Sequence, residues 1–231
     1  MGMVSLSFVT IHCGLESDLY DTLRSIEAHC GLDNYEVIVK SCSPVSIGGF
    51  HNVQLLEFGD DGIYDAMNKA LDNINGTHVM FLNSGDKLMG LLDDRYLTEF
   101  VYYGRVKLEG LKKYVRAKYF PLLGIMPNHQ SYIVPIKYLA QFKYPLEWET
   151  ASDCYFKLFL NKTAILRQYK ECLILINSPG KSGDFSDIKV VKTRAEEMSQ
   201  IIGTFYGKKW GGFIKLIYLG YYNLKRFVRF V

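Results

Sequence analysis

Between Val4 and Leu82 short β-branched runs alternate with segments of helical period, and few architectures accept that order. "VSLSFVTI" (Val4 to Ile11) runs to Cys13-Gly14, after which Leu19, Leu23 and Ile26 recur at helical spacing. "YEVIVK" (Tyr35 to Lys40), "VQLLEF" (Val53 to Phe58), the helical "IYDAMNKALDNI" (Ile63 to Ile74) and "THVMFL" (Thr77 to Leu82) follow. Short buried strands separated by helices predict an α/β fold, a mostly parallel central sheet with helices on both faces. With 231 residues, 48% of them hydrophobic, the chain suffices for one such domain and an appendage.

Past Asp86 the pattern changes. Phe100 to Gly110, Lys112 to Phe120 and "QSYIVP" read as strands close together, and "TASDCYFKLFLNKTA" as a helix with Tyr155, Leu158 and Phe159 on its apolar side. The reading is therefore a domain over 1–205, with halves 1–90 and 91–205, and a tail over 206–231. The five cysteines are scattered and form no C-x-x-C pair, which argues against a disulfide framework and against structural zinc. "MGMVSLSFVTIHCG" enters a strand directly, without the basic and apolar regions of a secretory signal, and no stretch has the length of a membrane span. A cytoplasmic location is the expectation.

In open α/β sheets ligands gather at the carboxyl ends of strands. The strand "VMFL" delivers Asn83, Ser84 and Asp86 to such an end, and Gly62 opens a helix carrying Asp65 and Asn68, three apart and so on one face. Asp65, Asn68 and Asp86 then share a pocket. The alternative is that Asp60 and Asp61 cap the helix and Asn83 to Asp86 is a polar turn, since turns and caps use the same residue types.

These residues, in this order, resemble a family. "D-x-G-I-Y-D-A-M-N-K" (Asp60 to Lys69), "F-L-N-S-G-D" (Phe81 to Asp86), "N-H-Q-S" (Asn128 to Ser131), "A-S-D" (Ala151 to Asp153) and "P-G-K-S" (Pro179 to Ser182) look like the family 2 inverting glycosyltransferases of bacterial surface-polysaccharide synthesis, of the colanic-acid, capsule and O-antigen type. The resemblance spans about Val4 to Gly207. It implies a GT-A fold, a nucleotide-diphosphate sugar donor with UDP-sugars favoured, a lipid-linked or glycan acceptor, and a divalent magnesium or manganese ion held by Asp86. Asp60, Asp65, Asn68, Asn83 and Ser84 then surround the nucleoside and donor sugar, and Thr10 lies against the nucleotide. Asp153 takes the place of the general base, and His129 and Gln130 lie near acceptor and donor phosphates. The other reading of Asp153 is a helix N-cap. The chain departs from the family where an aspartate after the second strand usually holds the base: Ser41 stands there, beside Lys40. Lys181 to Gly183 also lacks the extra glycine usual in that acceptor-side loop.

The tail from Tyr206 to Val231 mixes Trp210, Phe213, Ile214, Ile217 and Tyr218 with six basic residues and no acid. Such a segment suits an anionic membrane interface at the inner face of the cytoplasmic membrane. The alternatives are a helix packed on the domain or a homodimer contact. No nucleic-acid motif accompanies the basic residues. A nucleotidyltransferase would need a glycine-rich, basic loop after the first strand, which "TIHCGLESD" lacks, and a non-catalytic binding relative is the remaining rival.

Overall fold

The computed structural model describes residues 3–57, 59–110, 114–115, 118–177 and 187–229. The "P-G-K-S" segment and Lys181 to Gly183 lie outside them. In chain order the first half is β1 (Leu6–His12), α1 (Glu16–His29), β2 (Tyr35–Ser41), β3 (Val53–Leu56), α2 (Ile63–Leu71) and β4 (His78–Phe81). β5 (Lys87–Leu88), β6 (Val101–Leu108), β7 (Tyr114–Val115), β8 (Ile133–Pro135), α3 (Ser152–Thr163), β9 (Leu166–Ile176), α4 (Ile188–Tyr206) and α5 (Lys208–Arg229) follow.

The strands form one sheet in the order β3-β2-β1-β4-β8-β6-β9-β5, with β7 on β6. β3, β2, β1 and β4 run parallel, whereas β8 is antiparallel to β4 and β6, and β6 and β9 are parallel again. The sheet is thus parallel where the sequence alternates strand and helix, and mixed beyond. The run Lys112 to Phe120, expected as one strand, contributes only Tyr114–Val115 to the ladder among its described residues.

β1 lies at the centre of the parallel part, and all seven of its residues are buried. Successive side chains alternate across it. Leu6 and Phe8 pack with Leu19, Leu23 and Ile26 of α1, and Val9 and Ile11 pack with Met67 and Ala70 of α2 and Phe156 and Leu160 of α3. Each buried leucine or isoleucine contributes about 2 kcal/mol by leaving water. A third cluster sets Trp148, Ala151, Cys154 and Leu158 against Met198, Ile201 and Ile202 of α4 and Ile214 of α5.

The two last helices form a hairpin. Gly207, at φ +99°, ends α4, and a Cβ on Gly211 would stand 2.2 Å from the Ser199 carbonyl oxygen, so only glycine lets the two backbones meet. Trp210, Ile214 and Tyr218, at i, i+4 and i+8, turn inward. No helix among the described residues is long and apolar enough to cross a membrane.

The scattered cysteines predicted no disulfide framework, yet Cys13 and Cys42 are joined. β1 and β2 are parallel neighbours with His12 opposite Ser41, so the next residue of each strand lies beside the other, their Cα atoms 5.3 Å apart. That proximity is a property of strand register, invisible in a spacing of 29 residues.

Candidate active site

The carboxyl ends of β1, β2 and β4 meet at one edge of the sheet. Ser84 N donates to the Ile11 carbonyl at 3.1 Å, and the buried His12 places Nδ1 3.0 Å from Ser84 Oγ, which ties the Asn83 to Asp86 turn to β1. Burial lowers the His12 pKa against the opposing pull of Glu16 and Asp18. Gly85 occupies the left-handed region at φ +93° and lets the turn close. Thr22 of α1 holds it from below: its hydroxyl donates to the Asp86 carbonyl at 2.8 Å and accepts from Gly85 N at 2.9 Å.

Asp86 is the buried acid of this edge, 6% exposed. Gln130 Nε2 donates to Oδ2 and Asn177 N to Oδ1, both at 3.3 Å. Burial pushes its pKa up to about 7, and those two donors only partly offset the cost of the charge. Nearby, the buried Thr10 Oγ1 and Asn83 Oδ1 have no hydrogen-bond partner in the chain. Unsatisfied buried oxygens at a strand edge are what a polar ligand would satisfy.

At the end of β2, Ser41 is buried and spent on a local turn, donating to the Ser43 carbonyl at 2.5 Å and accepting from Ser43 N at 3.3 Å. The fully buried Lys40 reaches the Ser41 carbonyl at 3.0 Å and Asp60 Oδ2 at 2.8 Å. Lys40 therefore holds a carboxylate from the β3–α2 connection at the end of β2, where Ser41 stands. The helix cap differs from the sequence alternative: Gly62 is the N-cap of α2, with no side-chain cap bond. Asp65 pairs with Lys69 at 2.7 Å and accepts from Asp61 N at 2.9 Å, which together lower its pKa. Asn68 clasps the Tyr144 backbone, donating to its carbonyl at 2.9 Å and accepting from its N–H at 2.7 Å. Asp65 and Asn68 thus share a face of α2 but bond to separate partners, and neither bonds to Asp86.

A second acid lies in the first turn of α3. Asp153 is not the cap, which is Ala151 and makes no side-chain bond. Instead Lys157 Nζ donates to Asp153 Oδ2 at 2.8 Å and the Tyr64 hydroxyl approaches Oδ1 at 3.5 Å. Burial alone would raise the Asp153 pKa; the charges of Lys157 and Arg194, with His129 beside them, hold it well below the ordinary carboxylate range. His129 is itself pushed down to about 4 by burial, and its Nε2 has no partner. The loop before Asp153 is fastened from α4. The buried Glu197 accepts from Glu149 N, Thr150 N and Thr150 Oγ1, and Arg194 donates to the Thr150 carbonyl.

His129 and Gln130 are consecutive, in a single turn of 3-10 helix, and link the two acids: Gln130 bonds to Asp86, and His129 feels the charge of Asp153. The structure thus gathers Thr10, Ser41, Asp60, Asn83, Ser84, Asp86 and Gln130 at the strand edge, with His129 and Asp153 across from them. Thr22, Asn177, Arg194 and Glu197 were missed by sequence reasoning because their partners lie far away in the chain, whereas Lys157, one helical turn after Asp153, was an i,i+4 signal that could have been read. Among the described residues no three His, Cys, Asp or Glu side chains form a metal cluster.

No protein-family model and no curated protein sequence matches the chain. Solved structures do. TarS of S. aureus superposes with TM-score 0.63 at 15% identity over 89% of this chain, which spans 43% of that longer protein. The 1–349 portion of TarS in complex with UDP-GlcNAc matches equally, at TM-score 0.63 and 15% identity over 89% of this chain and 72% of that one. The mannosyltransferase PcManGT from Pyrobaculum calidifontis, in complex with GDP-Man and Mn2+, matches at TM-score 0.62 and 11% identity over 95% of this chain and 73% of its own. The chain has the GT-A-like fold that its sequence predicts, and shares it with these proteins.

Proposed function

We propose that the chain is an inverting glycosyltransferase that takes a nucleotide-diphosphate sugar and a divalent cation, and passes the sugar to a lipid-linked or glycan acceptor in surface-polysaccharide synthesis. The observation that carries the reading is the placement of two acids on either side of one 3-10 turn: Asp86 at the strand end, bonded by Gln130, and Asp153 at the start of α3, whose charge acts on the adjacent His129. Two proteins of the same fold carry nucleotide sugars in their structures.

The donor set suits a hard cation. The Asp86 carboxylate and the unpartnered Asn83 Oδ1 are oxygen donors, and magnesium or manganese readily completes its shell with phosphate and water. Such an ion would supply charge neutralisation for a leaving diphosphate. In this reading Thr10 and Asp60 meet the nucleoside, with Asp60, held by Lys40, supplying the carboxylate that the resemblance expects at Ser41. Asp153 accepts the proton of the acceptor hydroxyl as that oxygen attacks the anomeric carbon and the diphosphate departs with the bonding electrons. Tyr64 and Lys157 keep the carboxylate aimed, and the Glu197 clasp holds its loop.

Thermal unfolding with UDP, GDP, CDP and dTDP, each with and without manganese, tests the donor side. A ligand at a hundred times its Kd adds about 2.7 kcal/mol, a rise of roughly 5 to 10 °C for a domain this size. A manganese-dependent rise, largest with UDP and lost in Asp86→Ala, is expected. No rise with any nucleotide would overturn the proposal.

α5 supplies the membrane contact in this reading, as an amphipathic helix at the inner face of the cytoplasmic membrane. Phe213, Leu216 and Ile217, at i, i+3 and i+4, are exposed on it, and Trp210 Nε1 donates to the Leu122 carbonyl, setting exposed Phe120, Leu122 and Ile125 beside them. Lys208 and Lys209 open the same helix, a combination suited to anionic headgroups, while Lys215 pairs with Glu196 of α4. The wild-type chain should pellet with phosphatidylglycerol vesicles and not with phosphatidylcholine alone, and Phe213→Asp/Leu216→Asp should stay in the supernatant. Equal pelleting of the variant would remove α5 from the membrane.

A further inference from the structure

Opposite Gly104 the pairing of β6 with β9 slips. Tyr103 pairs with Gln168 and Arg105 with Cys172, so one residue of β6, Gly104, faces three of β9, Tyr169, Lys170 and Glu171. Extra residues of this kind make a bulge, which bends its strand and re-aims a side chain, and bulges gather beside active sites. The side chain re-aimed here is Tyr169. A Cβ on Gly104 would stand 1.9 Å from its ring, so the ring lies across β6 in the space that the glycine leaves open.

On the other side of β6 from β9 lies β8, and the His129–Ser131 turn stands just before it. Because β8 is antiparallel to β4, with Ile133 opposite Met80, that turn falls at the carboxyl end of β4, where the Asn83 to Asp86 turn begins. The Tyr169 hydroxyl reaches it and donates to the Ser131 carbonyl at 2.8 Å. Both residues are buried, and Tyr96 packs against the Tyr169 ring with centroids 5.5 Å apart. A phenol meets two needs at this point: its ring fills the core and its hydroxyl satisfies a buried carbonyl. The turn also has bonds of its own. Ser131 donates to the Asn128 carbonyl from N at 3.0 Å and from Oγ at 2.8 Å, and Tyr132 N donates to the His129 carbonyl at 3.1 Å. Those bonds give the turn its shape, whereas Tyr169 ties it to β9, two strands away in the sheet.

We propose that Tyr169 is a positioning residue for both acids of the site, holding the turn that carries Gln130 to Asp86 and His129 to Asp153. The proposal rests on the transferase reading for what the two acids do. Tyr169 bonds to neither of them and acts through the backbone of Ser131. Removing its hydroxyl keeps the ring in the core but leaves the Ser131 carbonyl unpaired in a buried place, which loosens the turn.

The test compares the full chain with Tyr169→Phe, Gln130→Ala and the double variant. Amide hydrogen exchange at Ser131 and Tyr132, read by NMR, reports the turn. Calorimetry with manganese and each of UDP, GDP, CDP and dTDP reports the Asp86 side. For Tyr169→Phe the expected results are exchange about tenfold faster at those two amides, unchanged exchange in β1 and β2, and nucleotide affinity about fivefold weaker, the scale of one lost buried hydrogen bond. Adding Tyr169→Phe to Gln130→Ala should weaken binding no further, because the hydroxyl reaches Asp86 through Gln130. A tyrosine that serves the core alone would weaken binding by the same factor in both backgrounds, or speed exchange across the whole sheet, and either result overturns the proposal. Unchanged exchange at Ser131 and Tyr132 overturns it as well, as does unchanged affinity in Tyr169→Phe. If the wild-type chain binds none of the four nucleotides, the donor reading falls, and exchange at the two amides decides alone whether Tyr169 holds the turn.

Discussion

Asp153→Asn should reduce sugar transfer by about a hundredfold or more, the usual scale for removing a general base, and should also lower stability. The two effects have different origins. Lys157 is 7% exposed and its ammonium pairs with Asp153, with the Arg194 charge acting on the same carboxylate. Removing one member of a buried pair leaves the other charge uncompensated, at a cost of about 3 kcal/mol or more, roughly 6 to 12 °C in midpoint for a domain of this size. A loss of transfer in Asp153→Asn alone would therefore be ambiguous. Asp153→Asn/Lys157→Met separates the causes: it removes both charges and should recover most of the lost stability without recovering transfer. If transfer returns with stability, Asp153 is a structural anion and the base lies elsewhere. The depressed pKa adds a second readout, because a carboxylate ionised throughout the ordinary pH range gives no loss of rate from its own protonation between pH 5 and pH 8.

Asp86→Asn should have effects of opposite sign on stability and on nucleotide binding. The Asp86 pKa rises from 3.8 unfolded to about 7 folded. A raised acid binds its proton more tightly in the folded chain, so its contribution is fullest below about pH 4 and is lost as pH climbs toward 7. The span corresponds to about 4 kcal/mol. Asparagine carries no charge to bury and escapes this loss, though its amide must find partners beside Gln130 and the Asn177 N–H. At pH 8 the variant should be more stable by about 2 to 4 kcal/mol, a rise of roughly 5 to 15 °C, and the two proteins should converge near pH 4. Manganese-dependent nucleotide binding should disappear at the same time. A variant less stable than wild type at pH 8 would show that the Asp86 charge is already compensated.

The parts of the fold that were legible in the sequence are those where local pattern and burial coincide. α1 shows Leu19, Leu23 and Ile26 at helical spacing, and those three residues are its core contacts. β1, β2 and β4 are apolar because both sheet faces are covered. β9 escaped notice because "LRQYKECLILI" starts with charged and polar residues, and it is a strand through its long pairing with β6. The same division runs through the site. Asp86, Gln130 and Asp153 were picked out by motif, whereas the Asn177 N–H on Asp86, the Arg194 charge on Asp153 and the Glu197 bonds to the loop before it are brought in by tertiary folding, and only Lys157 is a local partner. In the sequence Lys40 stood out only as the neighbour of Ser41, and its hydrogen bond to Asp60 shows that a carboxylate lies at that strand end.

The hairpin of α4 and α5 joins two tasks that are usually thought of separately. One side of α4 grips Thr150, two residues before the Asp153 loop enters its helix; the other side receives α5 through the Gly211 contact and Ile214. α4 thus stands between α5 and the loop that leads into Asp153. Cutting the chain before Lys208 would strip the cover from Ile201 and Ile202 and slacken that grip. In the proposed reading, anchorage and the alignment of the acceptor-side acid depend on this one hairpin.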